Sequence, residues 1–237
     1  MTEVIVALDV DTLRREQQLV AALHGTITFF KVGLQLFTAH GKKAVELVRK
    51  NGGRVFLDLK LHDIPQTTAL AVREAQKLGV EAVSVHLSGG AAMLRAAVAV
   101  SPRPQLWGVT MLTSLTDADA QVFHEKAQLS RIVENLARLG RQEGLDATIC
   151  SPQEVALLRR VLEGERARFV TPGIRPAGAD LNDQKRVMTP QQAAALEIDY
   201  IVVGRPITHA PNPLRAAQDI LAAMKAANPK ALEADDS

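Results

Sequence analysis

Short apolar runs rich in β-branched residues recur along the chain, and a segment of helical periodicity follows each of them. That alternation restricts the fold more than any other feature of the 237 residues. The runs predict strands at 4–9, 29–32, 55–60, 82–87, 106–112, 147–150, 169–171 and 200–204. Strands this uniformly apolar are buried on both faces, and strands joined through helices run parallel. Leu13, Gln17, Val20 and Leu23 share one helical face, as do Leu70, Glu74, Ala75 and Leu78, with Gly79 placed to stop that helix. Ser151-Pro152-Gln153-Glu154 and Thr189-Pro190-Gln191-Gln192 each read as a helix start, with a capping hydroxyl, an early proline and Glu or Gln at the third position.

Eight strands and about eight helices in this length predict an α/β chain folded as a closed (β/α)8 TIM barrel, with a doubly wound open sheet as the alternative. The apolar fraction of 47% is enough for a large core, and with only 3% aromatics Val, Leu, Ile and Ala must fill most of it. No linker divides the chain, so residues 1–227 are expected to form one barrel domain and 228–237 a frayed polar tail. Lysines and arginines exceed acidic residues by 28 − 26 = +2, which gives no reason to expect nucleic acid or an anionic membrane as partner. No apolar stretch approaches the ~18 residues that span a bilayer, and no basic segment precedes the first apolar run as in a secretory signal. Cys150 is the one thiol, which suits a reducing cytoplasm.

The segment VFLDLKLHDIPQTT holds the most chemistry. Side chains alternate along a strand, so Asp58 and Lys60 share the face of Phe56, at the barrel interior or its mouth. Asp63 follows just before Pro65, which opens the next helix. Buried charge costs several kcal/mol per ion unless paired, so stability alone does not put it there. Asp9 ends the first predicted strand and Lys31 lies near the end of the second. The four residues would form a chain of alternating sign in which each ion is flanked by its opposite. A plain rim ion pair between Asp58 and Lys60 is the structural alternative.

A second group suits a phosphate. Gly173 and Arg175 follow the seventh strand in VTPGIRP, and Gly204 and Arg205 follow the eighth in VVGRP. Loops after these two strands are the recurrent phosphate site of such barrels, although turn glycines with solvated arginines would give the same letters. The irregular stretches 113–127 and 176–187 would lie on the same rim, the second with the composition of a mobile lid. His62 reads as packed or solvated and His86 as a hydrogen-bonded interior residue, while Met93 and Met111 read as core filler. The histidines and carboxylates show no zinc-type spacing, and there is no phosphate-binding glycine loop of the P-loop or dinucleotide type.

These motifs, D58-L-K-L-H-D63-I-P with A-L-D9, F-K31-V-G, T-P-G-I-R175-P and V-G-R205-P, resemble the orotidine 5′-phosphate decarboxylase family in its standalone bacterial form, from about Val4 to about Leu221. The resemblance implies a barrel acting as a cytoplasmic homodimer without cofactor or metal, converting orotidine 5′-monophosphate to UMP and CO2 in pyrimidine biosynthesis. It implies that Lys60 protonates C6 of the pyrimidine and that Asp58 lies against the departing carboxylate. Lys31 and Asp9 would contact the ribose, with Lys31 also holding Asp58. Asp63 and Thr67 would reach into the partner subunit's site. Thr113, with Ser114 beside it, would meet the pyrimidine edge, Pro172 would line the base pocket, and Gln184 would bridge base and phosphate. Arg175, Gly204 and Arg205 would take the phosphate, with lid contacts from 176–183 left open. Two rivals remain. One is a metal-dependent sugar-phosphate decarboxylase or aldolase on the same scaffold, which would need a further metal-binding carboxylate at a strand end. The other is a catalytically silent nucleotide-binding barrel.

Overall fold

The structure, a computed structural model, describes residues 2–122, 125–162, 167–176 and 187–227. Its strands are β1 (Glu3–Ala7), β2 (Phe29–Gly33), β3 (Arg54–Leu61), β4 (Ala82–His86), β5 (Gln105–Val109), β6 (Ala147–Ile149), β7 (Phe169–Thr171) and β8 (Tyr200–Val203). Every neighbouring pair is parallel, and β1 closes on β8 through Glu3↔Tyr200 to Val6↔Val203, so the sheet is a closed barrel and not an open one. The helices are α1 (Leu13–Leu23), α2 (Leu34–His40), α3 (Lys42–Lys50), α4 (Pro65–Lys77), α5 (Gly90–Val98), α6 (Asp117–Gln121), α7 (Leu129–Gln142), α8 (Val155–Val161), α9 (Pro190–Ala195), α10 (Arg205–Thr208) and α11 (Pro213–Ala227).

There are more helices than the periodicity predicts, for local reasons. Gly41, at φ 57°, separates α2 from α3. Inside the expected irregular stretch 113–127, Thr116 and Asp119 form a capping box that starts α6. The capping boxes at Ser151 and Thr189 form as expected, the first opening a 3-10 turn ahead of α8. Gly79, at φ 66°, follows α4. The expected tail 228–237 lies outside the described residues, as does most of 176–187. Among the described residues, no helix is long and apolar enough to cross a membrane.

Two cores share the strands by alternation. Val4, Val6 and Leu8 face the helices, in the larger core, while Ile5 and Ala7 face into the barrel. Phe30 against Phe29, Leu57 against Phe56 and Leu106 against Trp107 divide in the same way. The scarce aromatics are concentrated inside: Trp107 lies 4.4 Å from Phe56, 5.0 Å from Tyr200 and 5.9 Å from Phe29, centroid to centroid. Four rings therefore form the barrel floor. Beneath them Arg54 stacks on Phe29 and pairs with Glu3 and Glu81, closing the N-terminal end.

The same inward rows set the upper end. Two residues beyond Ala7, Phe29, Phe56, Val170 and Val202 stand Asp9, Lys31, Asp58, Pro172 and Gly204, which all line the cavity at the barrel's C-terminal mouth. Some strands end sooner than expected there, β1 at Ala7 and β5 at Val109, so Asp9 stands past its strand rather than ending it, whereas β2 and β3 run one residue further than expected, to Gly33 and Leu61. At the rim the chain turns outward into its loop, and the ladder ceases before the apolar pattern does.

One buried charge lies outside this mouth. Glu16, on the inner face of α1, is fully buried with both carboxyl oxygens unpartnered among the described residues, and burial pushes its pKa up to about 8. An acid whose folded pKa exceeds its unfolded one weakens the fold as pH rises from the unfolded value to the folded one. Glu16→Gln is therefore expected to match the wild type below about pH 4.5 and to exceed its unfolding free energy by about 4 kcal/mol at pH 8, as read by urea titration across this range.

Candidate active site

A cavity of about 520 Å³ opens at the C-terminal mouth of the barrel. One wall carries the charge chain. Lys31 Nζ donates to Asp9 Oδ1 at 2.8 Å and lies 3.7 Å from Asp58 Oδ2, while Lys60 Nζ donates to the same Oδ2 at 2.8 Å. Asp9 is exposed, Lys31 and Asp58 are buried, and Lys60 is half-buried. Burial works against charge on Lys31, but Asp58 and Asp9 outweigh it and hold its pKa above the ordinary lysine value. Burial likewise opposes the Asp58 carboxylate, yet Lys31, Lys60 and a hydrogen bond from Ser84 carry its pKa below the ordinary range. Both groups are thus ionised at neutral pH. Gly33 leaves room for this chain, since a Cβ there would stand 2.7 Å from Lys31 Nζ and 3.0 Å from Asp9 Oδ1.

The side formed after β7 and β8 is cationic. Arg175 is buried, with one Nη donating to the carbonyl of Ile174 and its Nε unpartnered among the described residues. Burial, then the neighbouring Arg205, lower its pKa from the ordinary value. Two guanidiniums that repel across a cavity, one with a buried unused donor, would both gain from an anion between them. Arg205 opens α10, with Gly204 as its N-cap.

Asp9, Lys31, Asp58, Lys60, Thr113, Ser114, Pro172, Arg175, Gly204 and Arg205 all line this cavity. Asp63 and Thr67 do not, and both are exposed. Asp63 accepts from the backbone N–H of Ile64 at 2.6 Å, and exposed Ile64 and Leu70 lie beside the pair in sequence. Gln184 and residues 177–183 of the expected lid fall outside the described residues. Met111 is half-buried, packing against the core as expected and also lining the cavity, and Met93 is fully buried core as expected. His62 is exposed and stacks obliquely on His86 at 5.3 Å between ring centroids. The expected hydrogen bond of His86 is not made among the described residues, where its ring lies against that of His62. Burial, His62 and Lys60 lower the pKa of His86 against the opposing pull of Asp58.

Sequence reasoning missed Ser84, Cys150 and His209. The last two line the cavity, and Ser84 is buried behind Asp58. Ser84 carried one available signal, a single polar residue inside the strand run AVSVH. His209, at the end of α10, carried none.

Residues 2–220 match the model of the Orotidine 5'-phosphate decarboxylase / HUMPS family. A protein named orotidine 5'-phosphate decarboxylase from Saccharophagus degradans is 44% identical over 230 residues, covering 95% of this chain and 96% of its own. One of the same name from Hahella chejuensis is 47% identical over 222 residues, covering 92% and 95%. The crystal structure of orotidine 5'-phosphate decarboxylase from Lactobacillus acidophilus superposes with a TM-score of 0.79 at 34% identity, over 94% of this chain and 98% of that one.

The Asp58 geometry predicts a pH signature. Its depressed folded pKa contributes stability that is full above the unfolded value, about 3.9, and is lost as pH falls through the folded one. Asp58→Asn is expected to cost about 3 kcal/mol of unfolding free energy at pH 7, since it leaves two lysines without their shared partner. That difference should stay constant down to about pH 4 and shrink below it, in urea titrations of both proteins.

Proposed function

We propose a reaction for this site from the premise that the chain belongs to the orotidine 5'-phosphate decarboxylase / HUMPS family. It decarboxylates orotidine 5′-monophosphate to UMP and CO2, a step of pyrimidine biosynthesis. The observation that carries this reading is the unbroken run Asp9–Lys31–Asp58–Lys60, which holds an ammonium at the cavity wall with Arg175 and Arg205 lining the same cavity. A nucleotide fits that division, its reacting ring against the charge chain and its phosphate at the arginines.

Loss of CO2 leaves the electron pair of the broken bond on C6, with no attached group to delocalise it. The Lys60 ammonium stabilises that pair where it develops, then gives C6 a proton and recovers its own from solvent. Asp58, ionised by its lysine neighbours, faces the substrate carboxylate and repels it. Lys31 and Asp9 hold the ribose hydroxyls, and Lys31 keeps Asp58 charged. Thr113 meets the pyrimidine edge with Ser114 beside it, and Pro172 lines the base pocket. Arg175, Gly204 and Arg205 bind the phosphate, with Gln184 bridging it to the base. Binding energy from the phosphate, remote from C6, holds the ring against the charges.

In this reading residues 1–227 form one domain, and the protein works in the cytoplasm as a homodimer without cofactor or metal. Asp63 and Thr67 complete the partner's site. Their place outside the cavity, beside exposed Ile64 and Leu70, supports a role across an interface.

Lys60→Ala is expected to lower orotidine 5′-monophosphate turnover by at least about 10⁴-fold, while UMP affinity stays within about tenfold. The check is a spectrophotometric assay in EDTA with calorimetric UMP binding. Near-normal kcat in the variant would remove Lys60 from the mechanism, and wild-type activity abolished by EDTA would favour a metal-assisted reaction. Mixing Lys60→Ala with Asp63→Ala subunits should restore roughly a quarter of wild-type activity, since half the dimers are mixed and each has one intact site. Absence of recovery in dimers shown to have exchanged would count against a shared site.

A further inference from the structure

The β3–β4 ladder is irregular at one place. Phe56 pairs with Ala82 and Leu57 with Val83, but the next registered pair is Leu61 with Val85. Asp58, Leu59 and Lys60 therefore stand against Ser84 alone. A bulge of this kind re-aims side chains and leaves backbone groups without ladder partners. Lys60 takes up the distortion at φ 50°, in the left-handed region that non-glycine residues avoid. From this turned backbone the Lys60 ammonium lies 2.8 Å from the Asp58 carboxylate.

Two things must hold such a conformation, and one hydroxyl supplies both. Ser84 Oγ accepts the orphaned Lys60 N–H at 2.8 Å and donates its own hydrogen to Asp58 Oδ1 at 2.8 Å. Ser84 is fully buried, in a strand whose other positions are Ala, Val and His. A buried hydroxyl is costly unless its bonds are made, and both of these are. With Oδ1 pinned by Ser84, Oδ2 is the oxygen left to the lysines, and it receives Lys60 at 2.8 Å with Lys31 at 3.7 Å. Ser84 does not line the cavity. We propose that Ser84 is a positioning residue: its hydroxyl braces the Lys60 backbone in the left-handed bulge and orients Asp58, so that the ammonium and the carboxylate meet the substrate in register. This rests on the decarboxylase reading above.

The test is Ser84→Ala in the full chain, with Ser84→Thr as the variant that keeps the hydroxyl. Ser84→Ala is expected to lower kcat by about 10- to 100-fold, the loss set by one hydrogen bond to a charged group, with UMP affinity within about threefold of wild type. Without its neutral donor the Asp58 carboxyl should titrate about one pH unit higher, in carbon-13 NMR and in the acid limb of kcat. Ser84→Thr should return kcat to within about fivefold of wild type. Should Ser84→Ala not fold, Ser84→Cys, of similar size and weaker in hydrogen bonding, takes its place with the same readouts. An unchanged kcat with an unmoved Asp58 titration overturns the proposal, as does equal loss of kcat and UMP affinity, the mark of a generally loosened site. If the wild type itself fails to turn over orotidine 5′-monophosphate, the functional reading falls, while the NMR titration still decides whether Ser84 governs Asp58.

Discussion

Neither buried ion of the charge chain, Lys31 or Asp58, could be kept at the barrel mouth alone. Lys31 and Asp58 are nearly dry, and each ion would cost several kcal/mol in that setting without an opposite neighbour. The chain resolves this by alternation of sign across three adjacent strands. Asp9 holds Lys31, Lys31 and Lys60 hold Asp58, and only the ends of the run reach water. The missing side chain at Gly33 fits the same constraint, since a methyl group there would press on the Lys31 ammonium.

Glu16 shows what happens without such neighbours. It is as buried as Asp58, has no donor on either oxygen among the described residues, and has its pKa moved in the opposite direction. One protein thus keeps one buried carboxyl neutral at pH 7 and another ionised. Partners and not burial decide the sign. The barrel also separates its tasks along one axis. The aromatic floor, with Arg54 beneath it, supplies packing, and the polar rows begin two residues higher on the same inward faces.

Much of this was legible before any coordinates. All eight strands lie where apolar runs occur, because a buried parallel strand needs an unbroken apolar stretch and little else of this length provides one. Asp9, Lys31, Asp58 and Lys60 stood out as charges inside such runs, and they do meet. The errors fall where local pattern stops governing the chain. Strands β1 and β5 end before their apolar runs do, since apolar residues such as Met111 continue into loops that line a cavity. Helix α6 was missed within a polar stretch whose one organising feature is the capping pair Thr116 and Asp119.

The amino-acid sequence by itself determined the alternation of strands and helices, the inward rows, and the identity of the charges those rows deliver to the mouth. These follow from periodicities of two and about 3.6 residues, which each segment carries within itself. Only the tertiary structure decided which charges pair and at what distance. It also decided that Lys60 sits in a bulge and that Ser84, 24 residues away, is the group it leans on. Hydrogen bonds of that kind are set by the register between two strands, and register is a property of the closed sheet, which no single segment contains.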